Sequence, residues 1–466
     1  MLFSSLEFLF LFLPLCLLVY CLFPRGARNI VLLVFSLIFY GFGEPVYLLL
    51  MVGTTLADWF FGLAIERYAK TANAKKAILA LAITLNILSL AFFKYYDFIV
   101  SFIPFASPLG LSLPIGISFY TFQSLTYVVD IYRENAKAAT SPLLPATYIT
   151  LFPQLVAGPI VKYNDIEGEL RSRTLSLPAL TYGIRRFIIG LAKKVLLANT
   201  AGAIFESLAN SASLYGTDTL GAWLCVIFFS FQIYFDFSGY SDMAIGLGKL
   251  FGFSFPENFN YPYISTSVTD FWRRWHITLS SFFRDYLYIP LGGNRHGKAR
   301  TYLNLFVVWS ATGIWHGAGI NFLLWGIYFF LLLSIEKLFL KNFLSAIPKF
   351  LRHAYALFAI VFGWLLFAAD GVTLSSSEAI NIARSMLGIS SPLASRYSIY
   401  ELKRNLLPFI LMCAASLPVF SRLGRKLLDL NWLGRAISNA FCSALFLLCV
   451  AYLVSSGYNP FLYFKF

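Results

Sequence analysis

Apolar runs of roughly membrane-spanning length recur from one end of this chain to the other. "AILALAITLNILSLAFF" (77–93), "INFLLWGIYFFLLLS" (320–334) and "AFCSALFLLCVAYLV" (440–454) are three of them. A hydrocarbon core about 30 Å thick takes about 20 apolar residues of helix to span. Only 12% of the 466 residues are charged, half of the roughly 25% carried by soluble domains. The expected fold is an all-α polytopic membrane protein of about eleven to twelve transmembrane helices, with re-entrant and interfacial helices around a central tunnel.

Loop charges order the spans. Lys and Arg exceed Asp and Glu by 36 − 22 = 14. Without a basic soluble domain, that surplus belongs to cytoplasmic loops and argues against nucleic acid as a partner. Arg25 and Arg28, then Arg67, Lys70, Lys75 and Lys76, then Arg133 and Lys137 mark successive inner loops from one end. Lys337, Lys341, Lys349 and Arg352, then Arg422, Arg425, Lys426 and Arg435, mark them from the other. This alternation leaves both termini extracytoplasmic and residues 371–403 as the longest outer loop. The chain reads as one integral membrane domain over 1–466. Residues 1–133 are N-terminal helices, 140–300 a re-entrant and interfacial catalytic region, 301–456 C-terminal helices, and 457–466 an outward aromatic tail.

The first apolar run has no basic flank before it and no small-residue cleavage site after it, so it reads as a retained helix rather than a signal peptide. All six cysteines lie in apolar runs without metal-ligand spacing; no metal site is expected. Pro145, Pro153 and Pro159 break "SPLLPATYITLFPQLVAGPIVKY", and non-helical backbone at membrane depth survives only inside protein or along a cavity. Arg185, Arg186, Lys193 and Lys194 suggest an interfacial helix start on the cytoplasmic side.

Two stretches carry chemistry. In "NFNYPYISTSVTDFWRRWHITLSSFFRDYLYIPLGGNR" (258–295), Asp270 and Arg274, and likewise Trp272 and His276, stand four apart, as on one helical face. In "GIWHGAG" (313–319), His316 follows Arg300 by 16 residues, about 24 Å of helix, which puts it in the outer half of the bilayer. A neutral imidazole there suits a general base, though a histidine held by a neighbour's hydrogen bond fits the composition equally. His296 and His353 read as solvated loop residues.

"DFWRRWHITLSSFFRDYLYIPLGGNR" followed by "GIWHGAG" resembles the membrane-bound O-acyltransferase superfamily, in particular its bacterial alginate O-acetylation branch, whose relatives act on peptidoglycan, cellulose and teichoic acid. "PQLVAGPI", "QIYFDFSGYSDMAIGLGKLFGF" and the aromatic C-terminus extend the likeness through most of the chain. The resemblance implies that His316 is the central catalytic histidine and His276 a second functional histidine nearer the cytoplasm. Asn258, Asp270, Arg273, Arg274, Arg284 and Trp315 then belong to the donor entrance or the surroundings of the two histidines, and Asp236, Ser238, Tyr240 and Asp242 line the tunnel. It implies an O-acetyltransferase of the bacterial inner membrane with no bound cofactor. Acetyl-CoA is the expected donor, an extracytoplasmic polysaccharide the acceptor, and a separate extracytoplasmic acetyltransferase subunit the partner, besides membrane lipids. A D-alanyl transferase for teichoic acid and a non-enzymatic polysaccharide or lipid transporter are the rival readings. In the tail "GYNPFLYFKF", which is too apolar to wander in water, Tyr463 carries a hydroxyl able to accept acetyl and pass it on; an aromatic anchor is the plainer alternative.

Overall fold

The computed structural model describes residues 1–389, 391–429, 432–457 and 459–462. Among them, all regular secondary structure is helical. Seven helices among the described residues are long and apolar enough to cross a membrane: Tyr47–Tyr68, Ala72–Val100, Leu177–Leu214, Thr219–Leu250, Ile320–Ala346, Lys349–Ala368 and Trp432–Ser455. Leu406–Ala415 and Val419–Leu428 form an eighth candidate span, bent by 63°. The larger number expected from charge alternation also counts the shorter helices Phe8–Leu22 and Arg28–Gly41 and the less apolar Gly297–His316.

The chain forms two compact units, Met1–Ile188 with Tyr240–Glu257, and Ile189–Gly239 with Asn258–Phe466. In the first, Phe3, Phe8, Phe12, Phe39 and Phe152 pack ring against ring at centroid separations of 5.0–6.3 Å. The proline-broken stretch lies within this unit as two short buried helices, Leu143–Thr150 and Phe152–Leu155. Pro153 occupies a first-turn position, where its missing N–H costs nothing. Two of the polar side chains around the break bond to backbone: Tyr148 donates to the Val161 carbonyl (2.7 Å), and the Gln154 amide donates to the Tyr148 carbonyl (2.5 Å). Arg186 is no free interfacial cation, because it pairs with Asp242 (2.7 Å) and Glu257 (2.6 Å).

In the second unit, Gly297–His316 and Ile320–Ala346 form a tight helical hairpin. A Cβ on Gly313 would run into the Phe322 carbonyl, and one on Gly326 into the Trp309 carbonyl, so each glycine admits the opposite backbone. His316 is the last residue of the first arm. Gly239 faces Gly190 in the same way: an added Cβ would lie 2.7 Å from the Gly190 carbonyl oxygen. That approach brings Lys194 to Asp236, whose carboxylate is 2.8 Å from the ammonium, with both side chains at most 4% exposed. Lys194 is therefore a core residue rather than the interfacial cation expected, since burial without Asp236 would leave a bare charge.

Candidate active site

Residues 258–295 fold as short helical pieces joined by loops and turns. Ser267 caps Val268–Trp272, its hydroxyl accepting from the Asp270 N–H (2.9 Å). The buried Glu336 carboxylate accepts from the N–H groups of Val268 (2.6 Å) and Thr269 (2.9 Å) and from the Thr269 hydroxyl (2.6 Å). This helix ends at Trp272, and His276 adopts a left-handed backbone, φ 44° and ψ 54°, before Ile277–Phe283 begins. Trp272 and His276 thus do not share a helical face as their spacing suggested. Such a conformation is costly for a residue with a Cβ and persists only where its surroundings hold it.

Asn258 does much of the holding. Its backbone carbonyl accepts from the Ile277 N–H (3.0 Å). Its Oδ1 accepts from the Thr278 N–H (3.3 Å) and the Thr278 hydroxyl (2.8 Å), and lies 3.0 Å from His276 Nδ1. A backbone N–H can only donate, so the amide atom facing it is the oxygen, and Nδ1 of His276 must carry its proton. The imidazole lone pair is then on Nε2, which is buried and has no hydrogen-bond partner among the described residues. His276 lies outside the membrane-spanning helices, in the segment joining them. Burial drives its pKa well below the ordinary imidazole value, and the nearby His316 adds to the fall.

His316 repeats the arrangement. Its Nδ1 lies 2.6 Å from the Thr312 carbonyl one turn back, and a carbonyl only accepts, so the proton is on Nδ1 and the lone pair on Nε2. Trp315 stands between the two histidines, its ring centroid 6.3 Å from His276 and 5.0 Å from His316. Phe237 meets His276 edge-on at 4.6 Å, and Trp325 and Phe367 flank His316 at 4.9 and 5.5 Å. Two imidazoles, each with one nitrogen tied down, sit in an aromatic sheath of low dielectric.

Of the residues expected from sequence, Asn258, His276, Trp315 and His316 come together here. Arg274 pairs with Asp270 (2.9 Å), Arg284 pairs with Asp285 (2.7 Å) and is 63% exposed, and Arg273 is exposed. These three guanidinium groups are outside the buried cluster. Asp236 is engaged by Lys194, Tyr240 stacks on Phe3 at 4.6 Å, Asp242 pairs with Arg186, and Ser238 is fully buried. His353 is no solvated residue: its Nδ1 donates to the Ser265 carbonyl (2.9 Å). Tyr463 lies outside the described residues. Sequence reasoning missed Thr278 and Glu336 and read Lys194 as part of an interfacial helix start; the signal for Glu336 and for the burial of Lys194 was a charge inside an apolar helix.

Two buried imidazoles, each carrying its proton on Nδ1, inside a multi-pass helical membrane protein are what a membrane acyl-transfer enzyme would be expected to show. The chain belongs to the membrane-bound O-acyltransferase family, whose model matches residues 117–377. It is 40% identical to a probable alginate O-acetylase, AlgI, of Pseudomonas syringae pv. tomato over 80% of this chain and 73% of that protein. Identity to the Pseudomonas putida protein of the same description is 35% over the full length of both chains. A peptidoglycan O-acetyltransferase of Helicobacter pylori is 35% identical over 84% of this chain and 80% of its own. The protein is a multi-pass membrane acyltransferase.

Proposed function

We propose that this enzyme transfers acetyl from cytoplasmic acetyl-CoA toward hydroxyl groups of an extracytoplasmic polysaccharide, across a bacterial inner membrane, with both termini outside. The relatives named for alginate and peptidoglycan O-acetylation support this acceptor class. The observation carrying the mechanism is the fixed tautomer of His316, whose Nδ1–H is spent on the Thr312 carbonyl. Its Nε2 takes the proton of the attacking hydroxyl as oxygen bonds to the acetyl carbonyl carbon. The tetrahedral intermediate then collapses, the C–S bond breaks, and coenzyme A leaves as the thiol after gaining that proton. A positioned base of this kind contributes about 10²–10⁴-fold in rate. His276, with its Nε2 lone pair, serves the donor side, and exposed Arg273 and Arg284 meet the donor's phosphates. Acetyl-CoA takes part as a substrate rather than as a resident cofactor. The attacking hydroxyl is that of Tyr463; a nucleophile of a separate extracytoplasmic acetyltransferase then attacks the resulting phenolic ester, whose C–O bond breaks as the phenol regains a proton.

Purified protein in vesicles, given radiolabelled acetyl-CoA on the cytoplasmic-loop side and polysaccharide with the extracytoplasmic subunit on the other, tests the reading. Labelled polysaccharide is the expected product. Use of carrier-linked D-alanine in place of acetyl-CoA would replace the donor, and polysaccharide movement without thioester cleavage would make the protein a transporter.

A further inference from the structure

The Lys194–Asp236 ion pair holds more than itself. Its ammonium donates to Asn199 Oδ1 (2.9 Å) and to the Pro460 carbonyl, and lies 2.8 Å from Asp236 Oδ1. The other carboxylate oxygen, Oδ2, accepts from the Leu462 N–H at 2.7 Å. One donor to residue 460 and one acceptor from residue 462 is the pattern a neighbouring strand makes around a central residue, here supplied by two side chains. Phe461 and Leu462 are buried, at 4% and 3% exposure, and the Lys194 ammonium sits 5.9 Å from the Phe461 ring centroid. Asn199 adds a bond to the Asn459 side chain (3.3 Å).

A buried ion pair is costly to desolvate unless its remaining hydrogen-bonding capacity is used. Here that capacity is spent on backbone groups of Asn459–Leu462, so seating the segment and stabilising the pair are one event. Asp236 is also the chain neighbour of Phe237, whose ring abuts His276. The clamp therefore grips the segment one residue along the helix from the active-site wall.

We propose that Lys194 and Asp236 are positioning residues, a two-point clamp on the backbone of Asn459–Leu462 on which acyl transfer depends. The proposal rests on the acyl-transfer reading for its consequence, but seating itself is independent of the chemistry. Replacing a buried ion pair by apolar residues of similar size is commonly neutral or stabilising for the fold. The double variant Lys194→Met/Asp236→Leu in the full-length protein therefore removes the clamp without removing the core. Hydrogen exchange read by mass spectrometry is expected to show the Leu462 amide exchanging about tenfold faster or more, with the thermal midpoint unchanged or raised. Acetyl transfer to acceptor should fall by about tenfold or more in kcat, with KM for acetyl-CoA nearly unchanged. Wild-type protection of the amide, or wild-type kcat with the segment released, would overturn the clamp.

Should the double variant misfold, Leu462→Pro removes the donated N–H and leaves the pair intact, while Leu462→Ala keeps the N–H and loses only side-chain packing. Transfer by the Pro variant about tenfold below that of the Ala variant supports the clamp; equal transfer by the two overturns it. If the wild-type protein fails to use acetyl-CoA while exchange at Leu462 still depends on the pair, the donor assignment is wrong and the seating stands.

Discussion

Asn258 fixes the proton of His276: its Oδ1, pinned as an acceptor by the Thr278 N–H, leaves Nδ1 of the imidazole as the donor at 3.0 Å. The seventeen intervening residues make a loop and a short capped helix, His276 itself turns left-handed, and the two ends of that excursion meet to hold the imidazole. Replacing Asn258 by Leu is expected to lower kcat by about 10–100-fold, by freeing the ring and its tautomer, with less effect on KM. Asn258→Asp keeps an acceptor at the same place and should recover much of the loss. Equal activities of the two variants would show that the orientation of His276 is immaterial.

His316→Gln keeps a hydrogen-bonding group of similar reach but cannot take the proton. Its transfer rate is expected to drop by about 10²–10⁴-fold, close to that of His316→Ala, with normal membrane insertion. A Gln variant turning over like wild type would remove His316 from the chemistry.

The depressed pKa of His276 sets a pH dependence. Its neutral form, which the mechanism uses, persists at pH values where an ordinary imidazole, near 6.5, is already protonated. The acid limb assigned to His276, read as the part of the kcat/KM profile lost in His276→Ala, should lie below pH 6.5. Stability follows the same sign: the unfolded chain takes up this proton first, so the His276 contribution is complete above about 6.5 and declines as pH falls below it. A limb above 6.5 would mean that the folded protein raises this pKa.

Gly313→Ala pushes a methyl group into the Phe322 carbonyl, a backbone atom with little room to yield. The hairpin should open enough to cost about 1–3 kcal/mol, seen as a lower thermal midpoint in detergent. Because His316 lies three residues further on, kcat should fall with it; an unchanged midpoint would mean that the two helices slide freely.

Tyr463→Phe preserves the ring and deletes the hydroxyl. Loss of polymer acetylation with normal expression is expected from an acceptor role, whereas full acetylation would reduce the residue to an anchor.

Much of this was legible in one dimension. Hydropathy is local and additive, so apolar runs identify a helical membrane protein without knowledge of any contact. His316 was legible for a related reason: an ionisable ring between two apolar runs has few inexpensive places to be. Asn258, His276, Asp270 and Arg274 stood out as polar residues in an aromatic setting, and motif likeness singled out Trp315.

Tertiary structure decided what periodicity could not. Trp272 and His276 are four apart, yet they fall on different elements because a capped helix stops at Trp272 and His276 turns left-handed. Lys194 and Asp236 are 42 residues apart in sequence, and each alone reads as a charge destined for water or a polar lining. Only the close passage of Gly190 beside Gly239 makes them a buried pair. The tautomers of His276 and His316 were beyond the sequence for the same reason: which nitrogen holds the proton depends on an acceptor placed within about 3 Å by folding, and composition carries no such distance.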